Sequence, residues 1–257
     1  MRKLGILGSA LAFAVIGVVS AFAQSSDDKW TGYYVGGFGG VTLARPGLNT
    51  STVAPNDGYF ENTSVAAINA DGTRNVSANG FTGGGQFGYN QQYGRIVVGA
   101  EADFGWQRFS EEVSSTRQYP CCAPASYTLT QEVESNWIAT FRPKLGVAAG
   151  NAMFYATGGL ALTDVRYNAT FTDTFDDAFE TGEINKRRAG YTMGGGVEVR
   201  ATDNWSVKGE YLFSDFGRVS AQGSTFETSE DTWPSTVFTH AVKMKSHNIR
   251  FGVNYRF

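Results

Sequence analysis

The chain closes on Ile249-Arg-Phe-Gly-Val-Asn-Tyr-Arg-Phe257. Ile249, Phe251, Val253, Tyr255 and Phe257 share one parity, and Asn248, Arg250, Asn254 and Arg256 share the other. Side chains of a β-strand project alternately to opposite faces, so this stretch predicts a strand with one apolar and one charged face. A soluble barrel turns its apolar face inward and its polar face to water. A barrel in a bilayer does the reverse, with apolar side chains on lipid, aromatics at the two interfaces and a polar lumen. Aromatics on the apolar face at the strand end, opposed by charge, favour the second arrangement.

Seven upstream stretches repeat the pattern. Tyr33, Val35, Gly37, Gly39 and Val41 oppose Tyr34 and Phe38. Phe81, Gly83, Gly85, Phe87 and Tyr89 oppose Gln86 and Asn90. Ile96, Val98, Ala100, Ala102, Phe104 and Trp106 oppose Glu101 and Asp103. Trp137, Ala139, Phe141, Pro143, Leu145 and Val147 oppose Thr140, Arg142 and Lys144. Phe154, Ala156, Gly158, Leu160 and Leu162 oppose Tyr155, Thr157 and Thr163. Tyr191, Met193, Gly195, Val197 and Val199 oppose Thr192, Glu198 and Arg200. Trp205, Val207, Gly209, Tyr211 and Phe213 oppose Ser206, Lys208 and Glu210.

Eight strands are therefore predicted. Long polar segments at residues 43–79, 107–135, 164–187 and 217–244 alternate with short turns near 92–95, 149–152 and 201–205. Long external loops and short periplasmic turns give a membrane barrel this rhythm. The fold class is all-β: an eight-stranded antiparallel transmembrane β-barrel with long extracellular loops. Such a barrel is only just wide enough for side chains to fill it. Glu101, Asp103, Arg142, Lys144, Glu198, Arg200, Lys208, Glu210, Arg250 and Arg256 are expected to fill the lumen and pair with one another. Tyr33, Tyr89, Trp106, Trp137, Trp205 and Tyr255 are the expected membrane girdle.

Composition agrees. The 257 residues hold 32 glycines together with 14% aromatic residues. Collagens and disordered linkers are glycine-rich but poor in aromatics, whereas a barrel uses both. The formal net charge of -3 argues against nucleic acid as a partner. A mean hydropathy of -0.23 is compatible with strands that are only half apolar.

Arg2 and Lys3 precede an apolar run from Leu4 to Val19, and Ala21-Phe22-Ala23 reads as a cleavage site. Residues 1–23 are thus expected to be a cleaved signal peptide and residues 24–257 the barrel domain. An uncleaved anchor is the alternative. Past residue 23 no apolar run approaches the length of a spanning helix, so a spanning chain must use strands. Cys121 and Cys122 are adjacent and the only cysteines, in a chain bound for an oxidising compartment. A vicinal disulfide and an intermolecular bridge both remain open.

Several segments together resemble a known family. Trp30-Thr-Gly-Tyr-Tyr-Val-Gly-Gly37 resembles the opening strand of alphaproteobacterial outer-membrane β-barrel proteins, the major surface antigens of rhizobia and brucellae, which are distantly similar to neisserial opacity proteins. Gly83-Gly-Gly-Gln-Phe-Gly-Tyr-Asn90, Val98-Gly-Ala-Glu-Ala-Asp-Phe104, Leu145-Gly-Val-Ala148 and Tyr155-Ala-Thr-Gly-Gly-Leu-Ala161 are similar to later strands. So are Gly194-Gly-Gly-Val-Glu198, Thr202-Asp-Asn-Trp-Ser-Val-Lys-Gly-Glu-Tyr-Leu212 and the C-terminal stretch. The resemblance covers the eight strands and almost none of the long segments. It implies localisation in the cell outer membrane, a surface-antigen role, and recognition of Phe257 and Tyr255 by the outer-membrane insertion machinery. Pro143 and the cysteine pair depart from the pattern. A proline removes a ladder donor, so a bulge or local defect is expected at Pro143.

Three classes of function follow as expectations. The first is a structural surface protein, with outer-membrane lipid and lipopolysaccharide as surroundings and loops that bind a host, environmental or haem-like ligand. The second is a small porin-like channel whose conductance depends on Glu101 or Arg142. The third is a lipid-modifying enzyme dependent on His240. With only His240 and His247 present, no triad is recognisable by spacing. No catalytic residue, metal site or cofactor is assigned. Asp173, Asp176, Asp177, Glu180 and Glu183 form an acidic run that reads as a solvated loop or as a divalent-cation bridge to lipopolysaccharide phosphates. Tyr119, Tyr127, Phe171, Phe175, Phe179, Phe226 and Trp233 are either a ligand-contact surface or packing among loop tops.

Overall fold

The computed structural model describes residues 29–53, 55 and 57–257; the expected signal peptide and its cleavage site lie outside the described residues. The strands are β1 (Gly32–Ala44), β2 (Gly47–Val53), β3 (Thr73–Asn75), β4 (Ala78–Tyr93), β5 (Ile96–Gln118) and β6 (Ser126–Ala149). They continue with β7 (Ala152–Asp173), β8 (Phe179–Arg200), β9 (Trp205–Gln222) and β10 (Val237–Arg256). Among the described residues one helix, α1 (Asn62–Asp71), stands between β2 and β3. Every pairing is antiparallel, and the sheet closes because β1 pairs with β10 as well as with β4.

The ten strands make eight staves. β2 carries on from β1 along the same side of β10, beyond a break at Arg45-Pro46 where proline supplies no ladder donor. β3 likewise runs into β4, so α1 caps a long β1–β4 hairpin. The eight alternating stretches of the sequence fall on these eight staves.

The barrel is staggered. Paired residues lead once round from Gly32 through Asn90, Gly99, Lys144, Thr157, Gly194, Leu212 and Asn248 to Thr42, ten residues further along β1. Eight strands with this stagger tilt by about 40° from the barrel axis. At that tilt the stretch from Ile96 to Trp106 rises about 25 Å, the height of an outer-membrane apolar band.

The staves are longer than the apolar alternation predicts. Most of residues 107–135 and 164–187 and half of 217–244 is strand, and the true connections at that end shrink to 119–125, 174–178 and 223–236. Above the apolar band the barrel continues as a second, water-facing half. Irregularities mark the passage between halves: β5 against β6 between Trp106 and Phe109, β6 against β7 between Glu134 and Ile138, and β10 against β9 between Lys243 and Lys245. An inserted residue flips every later side chain to the other face. On β6 the buried positions accordingly change from odd at Val133 and Ser135 to even at Ile138 and Thr140.

Pro143 leaves a gap without a shift. The β6–β7 ladder omits Arg142 and Pro143 but resumes in the same register, and Thr157 Oγ1 donates to the Pro143 carbonyl at 2.8 Å. The cysteines form the vicinal disulfide Cys121–Cys122 in the connection between β5 and β6.

Candidate functional site

Inside the membrane half, the inward side chains form one ion-pair cluster. Arg142, fully buried, reaches three carboxylates: Glu101 at 2.7 Å, Asp103 at 2.7 Å and Glu210 at 3.0 Å. Glu101 also takes Lys208 at 2.8 Å, Lys144 at 3.1 Å and the Tyr34 hydroxyl at 2.7 Å. Arg250 adds to Asp103 at 3.2 Å, and Thr140 donates to the same carboxylate at 2.6 Å. Glu198 accepts from Asn254 and Ser206 and lies 3.7 Å from Arg256. Aromatic faces shield the remaining positive charge: Arg250 lies over Phe38, Lys144 over Tyr155 and Arg256 over Trp30. Removing ions from water costs several kcal/mol each, so the ion pairs hold the charges here, although Arg142 Nε, Arg250 Nε and Nη2, Glu198 Oε2 and Glu210 Oε1 have no hydrogen-bond partner among the described residues.

The periplasmic end is closed by a small apolar layer of Trp30, Val97, Ala148, Met153 and Tyr155. Above the ions sits a larger apolar layer containing Leu48, Phe109, Ile138, Val165, Phe216 and Met244. Its neighbour is a polar cluster in which every member is buried. His240 Nε2 lies 3.0 Å from Glu180, and His240 Nδ1 lies 3.0 Å from Thr50 Oγ1. Thr50 also meets Tyr167, and Gln131 donates to both hydroxyls and to the Gly72 carbonyl. Gly182 and Gly223 lie so close to His240 and Glu180 that a Cβ at either would collide with them. The far end is an aromatic cap of Phe60, Tyr119, Tyr127, Phe171, Phe226 and Phe238 with the α1 residue Ile68.

Asp173 fastens that cap. One carboxylate oxygen accepts from the backbone N–H groups of Phe175, Asp176 and Ala178, and the other accepts from the hydroxyls of Tyr59 and Tyr119, each at 2.8 Å. Burial first, then the Asp173 carboxylate, pushes both phenols far above the ordinary tyrosine value. A tyrosine kept neutral in this way remains a hydrogen-bond donor.

The comparisons with known proteins bear on this architecture. A family model described as "Outer membrane protein beta-barrel domain" matches residues 10–257. This chain belongs to that family. The 31 kDa outer-membrane immunogenic protein of Brucella melitensis is 31% identical over 237 residues, 89% of this chain and 84% of its own length. The 22 kDa outer membrane protein of Rhizobium leguminosarum is 28% identical over 188 residues, 73% of this chain and 65% of its own length. Among solved structures, neisserial surface protein A aligns with 88% of this chain and 98% of its own at 13% identity and a TM-score of 0.37. The protein is an outer-membrane β-barrel.

Within this outer-membrane barrel, nine of the ten expected lumen charges are buried in the interior. Arg200 is the exception. It has the inward parity but stands at the periplasmic rim, where it bonds the Lys29 carbonyl and Asp203, because β8 ends there. Tyr33, Tyr89, Trp205 and Tyr255 gather on the outer surface near the periplasmic end, with Tyr33 against Tyr89 and Trp205 against Tyr255. Trp106 and Trp137 face one another across the β5–β6 ladder at the other end of the apolar band. Phe257 is exposed and packs edge-on against Tyr255.

Two readings of the loops that the sequence left open can be set against the structure. The acidic run does not assemble: Asp173 turns inward to the cap, Glu180 is buried against His240, and Asp176 bonds Ser229. No group of three potential metal ligands occurs among the described residues. Of the loop aromatics, Tyr119, Tyr127, Phe171 and Phe226 are buried and pack the cap, while Phe175 and Phe179 stay exposed. Both ring nitrogens of His240 are engaged, and His247 Nδ1 lies 2.6 Å from the Tyr211 hydroxyl. The Thr50–His240–Glu180 chain has the connectivity of a hydrolytic triad, which spacing alone did not reveal because its members lie on β2, β8 and β10. All three are fully buried in the barrel interior.

Proposed function

We propose that this protein is a closed, non-conducting barrel that contributes to envelope integrity and holds a rigid platform above the outer leaflet. The observation that carries the reading is the continuous filling of the interior. From the periplasmic end it runs through an apolar plug, the ion-pair cluster, an apolar layer, the His240 cluster and the aromatic cap. Ions of both signs locked in mutual contact leave no free counter-charge to conduct.

In this reading residues 1–23 direct export and are removed. Tyr33, Tyr89, Trp205 and Tyr255 mark the periplasmic interface, and Trp106 and Trp137 the external one. Tyr255 and Phe257 serve as the insertion signal. The outer half supplies the surface that a host or environment meets, as the immunogenic naming of the brucella relatives suggests. Its rigidity follows from the folded staves beneath the short connections.

The test is planar-bilayer conductance of protein whose folding is established by a mobility shift on boiling. Silence from folded protein is the expected result. Steady openings that change on replacing Glu101 or Arg142 overturn the closed reading in favour of a small channel.

A further inference from the structure

The β8–β9 ladder stops at Tyr191 and Asp215. Above it β8 remains paired to β7 as far as Phe179, and β9 remains paired to β10 as far as Gln222. The two strands rejoin only near the top, through the Ser224 N–H to the Thr181 carbonyl and a bridge between Phe179 and Glu227. Gly217, at φ 71°, turns β9 aside at the lower edge of this seam. Only glycine takes that conformation without strain.

Cations crowd the seam. Lys186, Arg187 and Arg188 follow one another on β8, Arg218 stands on β9, and Lys243 is its partner on β10. Arg187, Arg218 and Lys243 are exposed on the outer wall. Lys186 has the inward parity of Ile184 yet is also exposed, because the ladder is open beside it. None of the five makes a salt bridge among the described residues. Their protein contacts are to neutral oxygens: Arg188 Nη2 to the Arg218 carbonyl at 3.3 Å, and Arg218 Nη2 to Asn49 Oδ1 at 2.9 Å. Arg188 Nε is buried and has no hydrogen-bond partner among the described residues. Of the nearby acids, Asp215 is engaged with Lys245 at 3.5 Å and Asp164 with Arg166 at 3.6 Å, while Glu183 stands four residues outward of Arg187 on β8 and makes no salt bridge among the described residues. Clustered like charges repel unless an anion answers them.

Height selects the anion. Arg187 lies four residues outward of Tyr191 on β8, and Lys243 four outward of His247 on β10. At the barrel's tilt that is about 10 Å above the apolar wall, where lipid headgroups lie. Arginine forks match phosphate oxygens in pairs. We propose that the open β8–β9 seam binds the phosphate groups of an outer-leaflet glycolipid, whose acyl chains lie on the wall below, over Tyr191, Met193 and Phe213. This rests on the membrane placement above, and it assigns a lipid-phosphate site to one sector of the barrel rather than to its acidic loop.

The test uses protein extracted from the outer membrane, delipidated in neutral detergent and titrated with bisphosphorylated lipid A and with its dephosphorylated form. The quadruple variant K186Q/R187Q/R188Q/R218Q is expected to lose about tenfold or more in affinity for the phosphorylated lipid. The control R74Q/R95Q/R117Q/R166Q, which removes as many cations elsewhere, is expected to stay within about twofold. Equal affinity for both lipids, or equal losses in both variants, overturns the proposal. Displacement of lipid A by an equal concentration of inorganic pyrophosphate assigns the seam to soluble anions and overturns it as well. The boiling shift reports folding of each variant. If the quadruple variant fails to fold, R187Q/R218Q, altered only on the exposed wall, must still weaken binding about threefold. Loss of the boiling shift by the unmodified protein in lipid would instead count against the barrel reading itself.

Discussion

Along β6, Phe141, Leu145 and Val147 point outward while Arg142 and Lys144 point in. Nearer the start of the same strand, Tyr127, Leu129 and Val133 point in while Thr128, Thr130 and Glu132 point out. β7 repeats the inversion, with Phe154, Leu160 and Leu162 outward below and Val165, Tyr167 and Phe171 inward above. The backbone is the same antiparallel ladder in both halves. What differs is the surrounding medium. Lipid accepts apolar side chains and forces the polar ones inward; water does the opposite. One closed ladder thus supports an ionic core and an apolar core stacked end to end.

The comparison predicts unequal responses to substitution. Arg142→Ala in the ionic core leaves Glu101, Asp103 and Glu210 without their shared partner. A loss of about 3–5 kcal/mol is expected in denaturant unfolding of the lipid-embedded protein. An unchanged midpoint would mean that water already screens the cluster.

Phe171→Ala empties a fully buried position in the cap. A comparable cost of about 3–5 kcal/mol is expected, confined to the outer half. Hydrogen exchange should rise in β6 and β7 above Asn136 while the boiling shift persists. Uniform exchange along both strands would show the halves to be one cooperative unit.

A lysine scan reads the boundary directly. Phe251→Lys, in the middle of the apolar wall, is expected to cost about 2–4 kcal/mol. Thr170→Lys, on the outer wall of β7, is expected to stay within about 0.5 kcal/mol. Similar costs at the two sites would remove the distinction between a lipid-facing and a water-facing half.

The smallest effect is one of pH. Tyr59 and Tyr119 are held neutral by burial and by Asp173, so the folded protein keeps protons that the unfolded chain releases near pH ~10. This contribution is complete below that pH and declines as the pH rises beyond it. Near-ultraviolet titration should show one fewer tyrosine that ionises only on unfolding in Y119F than in the unmodified protein. The same number of late-ionising tyrosines in Y119F and the unmodified protein would contradict the Asp173 arrangement.

The membrane half was legible because its alternation is apolar against charged, as in Val98 to Trp106, and the short turns bound each strand sharply. The outer half was not, although Tyr127, Leu129 and Val133 carry the same period. Threonines, serines and glutamates fill the opposite parity there, and a polar strand exposed to water has the composition of a loop. The interior pairs were legible as a class, since charges at inward parity have nowhere else to go. Arg200 misled because parity fixes the face but not the distance from the strand end. The His240–Glu180–Thr50 cluster joins residues 60 and 190 positions apart, which no local spacing encodes. The opening between β8 and β9 was hidden for a related reason: it depends on where a ladder fails, and Gly217 looks like any other glycine in a chain with 32 of them.

The pairing of β1 with β10 has a consequence for the order of assembly. Tyr34 pairs with Gly88 on one side, but its partner on the other side is Arg256, at the far end of the sequence. The first strand made must therefore wait, with one edge unpaired, until the last has emerged and crossed the inner membrane. An unpaired edge is a template for the wrong neighbour, and so long-range a contact forms slowly. Such a chain needs to be kept apart from its copies in transit. The same terminal strand that would present Phe257 for insertion is the one whose arrival abolishes the last free edge, so docking and ring closure are tied to a single event.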